Sequence, residues 1–318
     1  MEFKSITLLF PGQGSQYVGM GRSLEGKKSF NLIPYSDKIL GYPLSKIMLE
    51  GPEDQLALTE NTQPAIVTHS LALVEELKDF LKDKPIKIEA CLGHSVGEYA
   101  ALAACGSLSS EDAIKAVHNR GKFMQKAVPL GKGKMIALLK IPEDIIKKAC
   151  QEVSTSEEQV MPANFNEPNQ IVISGHAGAA DKAVKWLEEN YTEPFRAIEL
   201  KVSAPFHSTL MKPAATQLKE FFQTINFSPN KISYLANIDS EKYPVETPGQ
   251  VIQNNLVDQV VGSVLWTQSF KKIPEDSLCL EVGPGKVLMG LGRKINRSVK
   301  ILPLDSNDAF NKLEELLS

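Results

Sequence analysis

No run in this 318-residue chain approaches the roughly 20 consecutive apolar residues that a membrane helix needs, so neither a spanning helix nor a membrane partner is expected. The opening Met1-Glu2-Phe3-Lys4-Ser5-Ile6-Thr7-Leu8-Leu9-Phe10 has an apolar stretch too short for a secretory leader, and it carries an acid. Cysteine is scarce and scattered. Cys91, Cys105, Cys150 and Cys279 form no C-x-x-C pair, which argues against a disulfide frame or a zinc site. Free thiols in a reducing compartment, the cytoplasm, are the expectation. An excess of one charge is also missing. The 35 basic and 38 acidic residues leave a formal charge of -3 and a pI near 6.0, which argues against nucleic acid as a partner. Nucleotide loops are incomplete: Gly283-Pro284-Gly285-Lys286-Val287 lacks the first glycine and the Ser/Thr of a P-loop, and Gly12-Gln13-Gly14-Ser15-Gln16-Tyr17 lacks the last glycine of a dinucleotide loop. No spacing suggests a metal, and no internal repeat or low-complexity linker is present.

What is there is an ordinary globular composition, 42% hydrophobic and 23% charged, with apolar runs alternating with helical patterns. The class is therefore α/β. Ile6 to Phe10 reads as a buried strand stopped by Pro11-Gly12. Pro64 to Phe80 reads as a helix, Ile86 to Leu92 as a strand ended by Gly93, and Val96 to Cys105 as an Ala-rich helix with Gly106 at its C-terminal stop. Ser110-Glu111-Asp112 opens a further helix running to about Ala127.

From Lys134 to Val202 the pattern changes. Strands are expected at Met135–Leu139, Val160–Phe165, Ile171–Ser174 and Phe195–Val202. Helices are expected at Pro142–Val153 and Ala177–Glu189, with a turn at Asn166-Glu167-Pro168-Asn169 and a flexible entry at Gly131-Lys132-Gly133. The order β-α-β-β-α-β is that of a ferredoxin-like unit. The α/β pattern then resumes with a helix at about Leu210–Ile225, strands at Ile232–Ala236 and Ser277–Val282, and a helix from Lys286. The expected organisation is a large α/β subdomain, residues 1–131 and 203–318, interrupted by a small one at 132–202.

Gly93-His94-Ser95-Val96-Gly97 matches G-x-S-x-G, and it lies between an expected strand and an expected helix, the context that motif requires. A serine on such a sharp turn projects its Oγ beyond the sheet, and the N–H of Val96 at the helix start can face a developing oxyanion. Serine also needs a base. Of the five histidines, His94 diverges from its neighbour Ser95. His69 and His118 lie mid-helix, and His176 opens a helix. His207, in Val202-Ser203-Ala204-Pro205-Phe206-His207, follows a strand and precedes a helix, where active-site loops of α/β sheets lie.

Arg120 falls in the apolar stripe Ala113, Ala116-Val117, Arg120, Phe123-Met124, Ala127, whereas Lys115, Lys122 and Lys126 fall off it. An inward arginine needs an anion, either an internal Asp or Glu or the carboxylate of a substrate. Between Ala113 and Pro142 every acidic or basic residue is basic, and Lys286, Arg293, Lys294, Arg297 and Lys300 form a second acid-free run. Such runs are either solvated helix faces or a rim that steers anionic partners.

Several motifs in order give the chain a resemblance. They are Phe10-Pro11-Gly12-Gln13-Gly14-Ser15-Gln16, Thr62-Gln63-Pro64-Ala65, Gly93-His94-Ser95-Val96-Gly97-Glu98-Tyr99, Arg120-Gly121-Lys122-Phe123-Met124-Gln125, Asn164-Phe165-Asn166, Phe206-His207-Ser208 and Glu281-Val282-Gly283-Pro284-Gly285. The chain resembles the family of malonyl-coenzyme A:acyl carrier protein transacylases and the acyltransferase domains of polyketide synthases. The resemblance implies an α/β-hydrolase-like large subdomain with a ferredoxin-like insertion. It implies Ser95 as nucleophile, His207 as base, and the N–H groups of Gln13 and Val96 as oxyanion hole. Arg120 would take the malonyl carboxylate, and Gln63 and Asn164 match pocket positions. A bulky aromatic at Phe206 goes with malonyl rather than methylmalonyl. The partner of His207 is implied to be a neutral carbonyl acceptor at Gln259, with Asp258 an adjacent rival. Malonyl-coenzyme A and an acyl carrier protein would be the partners, the chain a monomer, and no cofactor of its own would be needed. Two rival readings stand beside this one. A serine hydrolase, thioesterase or esterase, would share Ser95 and His207 without needing Arg120 or a carrier protein. A non-catalytic binding module would not need the three together.

Overall fold

Strand β1 (Ser5–Phe10) has apolar residues in succession, and in the computed structural model, which describes residues 3–317, both its faces are covered. The outermost bounds of the large subdomain, residues 1, 2 and 318, lie outside the described residues. Leu8 packs into one core with Val67 and Tyr99, and its neighbour Leu9 into another with Trp266 and Phe270. A strand buried on both faces belongs in a parallel sheet with helices on each side. The sheet here runs β10 (Lys300–Leu304), β9 (Leu278–Val282), β1, β2 (Lys87–Gly93), β7 (Ser233–Leu235), β8 (Lys242–Tyr243). All its pairings are parallel except the last.

Before the insertion the helices of this subdomain are α1 (Leu32–Leu40), α2 (Leu44–Glu50), α3 (Glu53–Leu56), α4 (Thr59–Leu81), α5 (Gly97–Ala104) and α6 (Ser110–Lys126). The first three precede any helix expected from sequence. Helix α4 starts earlier than its periodicity suggests and keeps Pro64 inside it. Proline has no N–H to offer the carbonyl of Glu60, and His118 Nδ1 lies 3.0 Å from that oxygen instead. His118 is thereby accounted for as a packing and bonding residue of α6. The cap of α6 is Ser109, one residue ahead of the expected start, with its Oγ accepting the Asp112 N–H at 2.9 Å.

The insertion is a second, antiparallel sheet ordered β4 (Val160–Glu167), β5 (Gln170–His176), β3 (Gly133–Leu139), β6 (Arg196–Glu199), with α7 (Glu143–Val153) and α8 (Ala177–Asn190) against one face. This is the ferredoxin-like arrangement. Alternation along β3 divides its work. Ile136 and Leu138 enter the core under α7 and α8, while Met135 and Ala137 join the core of the large subdomain. Two expectations need correcting. The β4–β5 turn is confined to Pro168-Asn169, because Asn166 and Glu167 still belong to the strand. Gly133 is not a flexible entry: a Cβ there would sit 2.2 Å from Pro205 Cγ, so the missing side chain serves close packing.

After the insertion come α9 (Lys212–Phe221), α10 (Gly249–Val261), α11 (Trp266–Lys271), α12 (Val287–Ile295) and α13 (Asn307–Leu317). The expected helix at Leu210–Ile225 is α9 with a 3-10 turn at each end. The two subdomains are tied where β4 meets the segment before α11. Phe165 N–H donates to Val264 O at 2.9 Å, and Val264 N–H donates to Ala163 O at 2.8 Å.

Candidate active site

Ser95 stands between β2 and α5 with a left-handed backbone, φ 52. Its neighbours show why glycine flanks it. A Cβ on Gly93 would lie 2.0 Å from Gly97 C, and a Cβ on Gly97 would lie 2.2 Å from Phe10 O. Chain segments this close leave room for no side chain at either position. The turn is also bonded in place. Ser95 N–H donates to Asn237 Oδ1 at 2.7 Å, and Asn237 Nδ2 donates to Gly93 O at 2.7 Å.

The Ser95 hydroxyl is 2.7 Å from His207 Nε2. His207 Nδ1 is 2.9 Å from the backbone oxygen of Gln259. A carbonyl only accepts, so Nδ1 carries the proton and Nε2 presents its lone pair to Ser95. Asp258 makes no such bond; the acceptor is the main chain of Gln259. Burial first, and then the positive charge of Arg120, push the His207 imidazole down to about 3, so it is neutral at ordinary pH.

Arg120 is 1% exposed, buried more completely than any charge without compensation could be. Its Nη1 donates to Gln63 Oε1 at 2.9 Å, and its Nη2 donates to Gln259 Oε1 at 2.9 Å and to Ser95 Oγ at 3.2 Å. Its Nε–H has no partner among the described residues. The internal carboxylate that an inward arginine could have paired with is absent from its direct bonds; two neutral amides hold it instead. A buried guanidinium with an unused donor has the chemistry to receive a carboxylate.

These groups surround a cavity of about 160 Å³ between the subdomains. Gln13, Gln63, Ser95, Val96, Arg120, Asn164, Phe206 and His207 all line it, as do Met135 and Val172 from the small sheet. Gln259 alone of the expected site residues does not; it lies behind Arg120 and His207. The main-chain N–H groups of Gln13 and Val96 donate to no backbone acceptor among the described residues. His94 also lines the cavity, but its Nε2 is 2.8 Å from Asn166 Oδ1 and it makes no bond to Ser95. His69 is buried in α4 with neither ring nitrogen bonded to any of the described residues, and burial pushes it down to about 4.

Sequence reasoning missed Asn237 as a site residue, and gave no role to Glu98, which it quoted only inside a motif. The end of β7 beside β2 was the available signal for Asn237, since that is the sheet edge where sites form. The motif Glu281-Val282-Gly283-Pro284-Gly285 proves architectural. Glu281 accepts the N–H groups of Leu288 and Met289 at 2.8 Å each and so caps α12, and a Cβ on Gly283 would meet Pro11 Cγ at 2.6 Å.

Comparison with known proteins gives a consistent answer. The acyl transferase domain family matches residues 7–302. The malonyl CoA-acyl carrier protein transacylase of Bacillus subtilis (strain 168) is 39% identical over 309 residues, covering 96% of this chain and 95% of that protein. An acyl carrier protein S-malonyltransferase from Vibrio cholerae superposes with a TM-score of 0.90 at 34% identity, covering 98% of this chain and 99% of the other. A malonyl-transacylase solved in complex with its type II polyketide synthase acyl carrier protein superposes with a TM-score of 0.89 at 34% identity, covering 99% of this chain and 100% of the other.

Proposed function

The chain belongs to the acyl transferase domain family, and from that premise we propose how its site moves a malonyl group from malonyl-coenzyme A to the thiol of an acyl carrier protein. One observation carries the reading: nucleophile, base and a buried cation meet at a single oxygen, Ser95 Oγ, 2.7 Å from His207 Nε2 and 3.2 Å from Arg120 Nη2. A simple hydrolase needs the first two and has no use for the third.

In the first half-reaction His207 Nε2 takes the Ser95 proton as Oγ attacks the thioester carbonyl. The N–H groups of Gln13 and Val96 face the oxyanion. Arg120 holds the distal carboxylate, which fixes the carbonyl over Ser95. Collapse expels the coenzyme A thiolate, and His207 returns the proton to it. The malonyl group is then an ester on Ser95. In the second half-reaction His207 takes the proton of the carrier's phosphopantetheine thiol, whose sulfur attacks the ester, and Ser95 recovers its proton. The neutral carbonyl behind His207 orients the ring but stabilises an imidazolium less than a carboxylate would, which suits a thiol acceptor more acidic than water.

The substrates bring coenzyme A and phosphopantetheine, so the chemistry asks for no resident cofactor. Exposed Lys286 and Arg293 on and beside α12 supply positive charge for an acidic carrier. No helix among the described residues is long and apolar enough to cross a membrane. We read the enzyme as a cytoplasmic monomer. The test is the fate of the malonyl group: with carrier protein present, malonyl thioester on the carrier is the expected product, and release of free malonate in its place would favour the hydrolase reading.

A further inference from the structure

Glu98 lies in the first turn of α5, three residues after the nucleophile, and is 1% exposed. The transfer steps above do not use it. Its Oε2 accepts two hydrogen bonds, from Gln259 Nε2 at 2.7 Å and from the Asn237 backbone N–H at 3.2 Å. Its Oε1 has no partner among the described residues.

The two residues it holds are the two that hold the site. Asn237 braces both sides of the left-handed Ser95 through the bonds to Ser95 N–H and Gly93 O. Gln259 touches everything else. Its Nε2 donates to Ser95 O at 3.0 Å as well as to Glu98, its Oε1 accepts from Arg120 at 2.9 Å, and its backbone oxygen takes the proton of His207 Nδ1. A side-chain amide has a donor end and an acceptor end. The acceptors on Glu98 and Ser95 turn the donor end toward themselves, which leaves the oxygen facing the guanidinium. Reversed, the amide would set N–H against N–H at Arg120 and oxygen against oxygen at Glu98.

We propose that Glu98 is a positioning residue: through Gln259 and Asn237 its carboxyl sets the Arg120 guanidinium in place against Ser95 and His207. This rests on the transacylase reading given above. The working feature is an acceptor at Oε2 and not the charge. Burial pushes this carboxyl up to about 8, with the bonds from Gln259 and Asn237 opposing, and Oε2 remains an acceptor with a proton on Oε1. Glutamine can therefore take over, with its oxygen at Oε2 and its NH2 at the position that has no partner.

The test compares kcat/KM for malonyl and acetyl loading from coenzyme A in wild type, Glu98→Ala, Glu98→Gln, Gln259→Leu and the double variant Glu98→Ala/Gln259→Leu, each normalised to folded protein. Gln259→Leu keeps the carbonyl that holds His207 and removes only the amide. Glu98→Ala is expected to lose malonyl loading by roughly tenfold or more, the usual scale for an outer partner that orients a working group. Acetyl loading loses less, so the malonyl preference falls. Glu98→Gln restores most of that preference. Gln259→Leu shows the same fall, and the double variant is no worse than the more affected single, because both break one connection. Equal losses for both substrates in Glu98→Ala would make Glu98 merely structural. If Glu98→Ala does not fold, full malonyl preference in Gln259→Leu overturns the proposal, and its loss there beside retention in Glu98→Gln supports it. Wild type that loads no malonyl group at all is a separate outcome, and it strikes at the transacylase reading itself.

Discussion

At the scale of single residues, the proposed function makes Arg120 the group that sets which acyl group is accepted as well as how fast. Its guanidinium is buried, held by two amides, and has an N–H to spare. In the proposed function malonyl supplies the missing carboxylate, and acetyl leaves the cation unpaired. In Arg120→Ala the malonyl carboxylate would have to shed water with no partner. Breaking one side of a buried pair costs about 3–5 kcal/mol, a factor on the order of a few hundred to a few thousand. Water entering the truncated site reduces this, so at least about a hundredfold loss in malonyl kcat/KM is expected, with acetyl falling much less or rising. Equal losses for both thioesters in a folded variant would make Arg120 structural. His207 gives a second prediction. Its imidazole is pushed down to about 3, so the free enzyme keeps its base deprotonated well below the ordinary histidine value of 6.5. Protonation abolishes the base, so activity is lost only as pH falls toward that lower value. The acid limb of malonyl kcat/KM should therefore lie below about pH 5, and a half-maximal point near 6.5 would contradict the burial argument.

At the scale of elements, the turn from β2 to α5 is fixed by close approach of backbone to backbone. A methyl at Gly97 would lie 2.2 Å from Phe10 O and 2.7 Å from Pro11 O, and neither atom can rotate away. Gly97→Ala should cost more than the roughly 1–3 kcal/mol typical of overpacking, and malonyl loading should fail with it. Gly290 in α12 makes the control, because a Cβ there meets nothing within 4 Å. Gly290→Ala should leave the thermal midpoint unchanged or raise it, by up to about 1 kcal/mol of added stability. Similar midpoints for the two variants would refute the steric account. These elements also mark how far sequence could see. Ser95 and His207 were legible because chain punctuation around them is strong: glycines on both sides of one, Ala204-Pro205 before the other. Strand β6 was overread, since the alternating pattern of Phe195 to Val202, broken by Arg196, Glu199 and Lys201, extends beyond the four residues of the strand. The short helices between Phe10 and Thr59 were unread, because pieces of four to nine residues carry too little periodicity.

At the scale of the whole molecule, the site exists only where the two subdomains meet. Ser95 and Arg120 come from the large one, Met135 and Asn164 from the small one, and the cavity lies between them. The order of strands and helices made both subdomains legible, since period-2 and helical patterns switch visibly at the insertion. What no pattern encodes is the path by which distant segments converge. Glu98, Asn237 and Gln259 are separated by more than a hundred positions at the extremes, and the bonds that join them appear only once α5, the end of β7 and α10 are packed. Gln259 itself was expected to serve His207, and it does so through its main chain; its side chain works for Arg120 instead. The central claim is that malonyl passes through an ester on Ser95 Oγ. Intact-mass analysis after mixing the enzyme with malonyl-coenzyme A tests it most directly, with peptide mapping of the adduct and a chase with carrier protein. The account predicts one malonyl group on Ser95, lost on adding carrier protein as malonyl-carrier accumulates, and no adduct in Ser95→Ala. An adduct mapped to another residue, or loading that survives in Ser95→Ala, would contradict it.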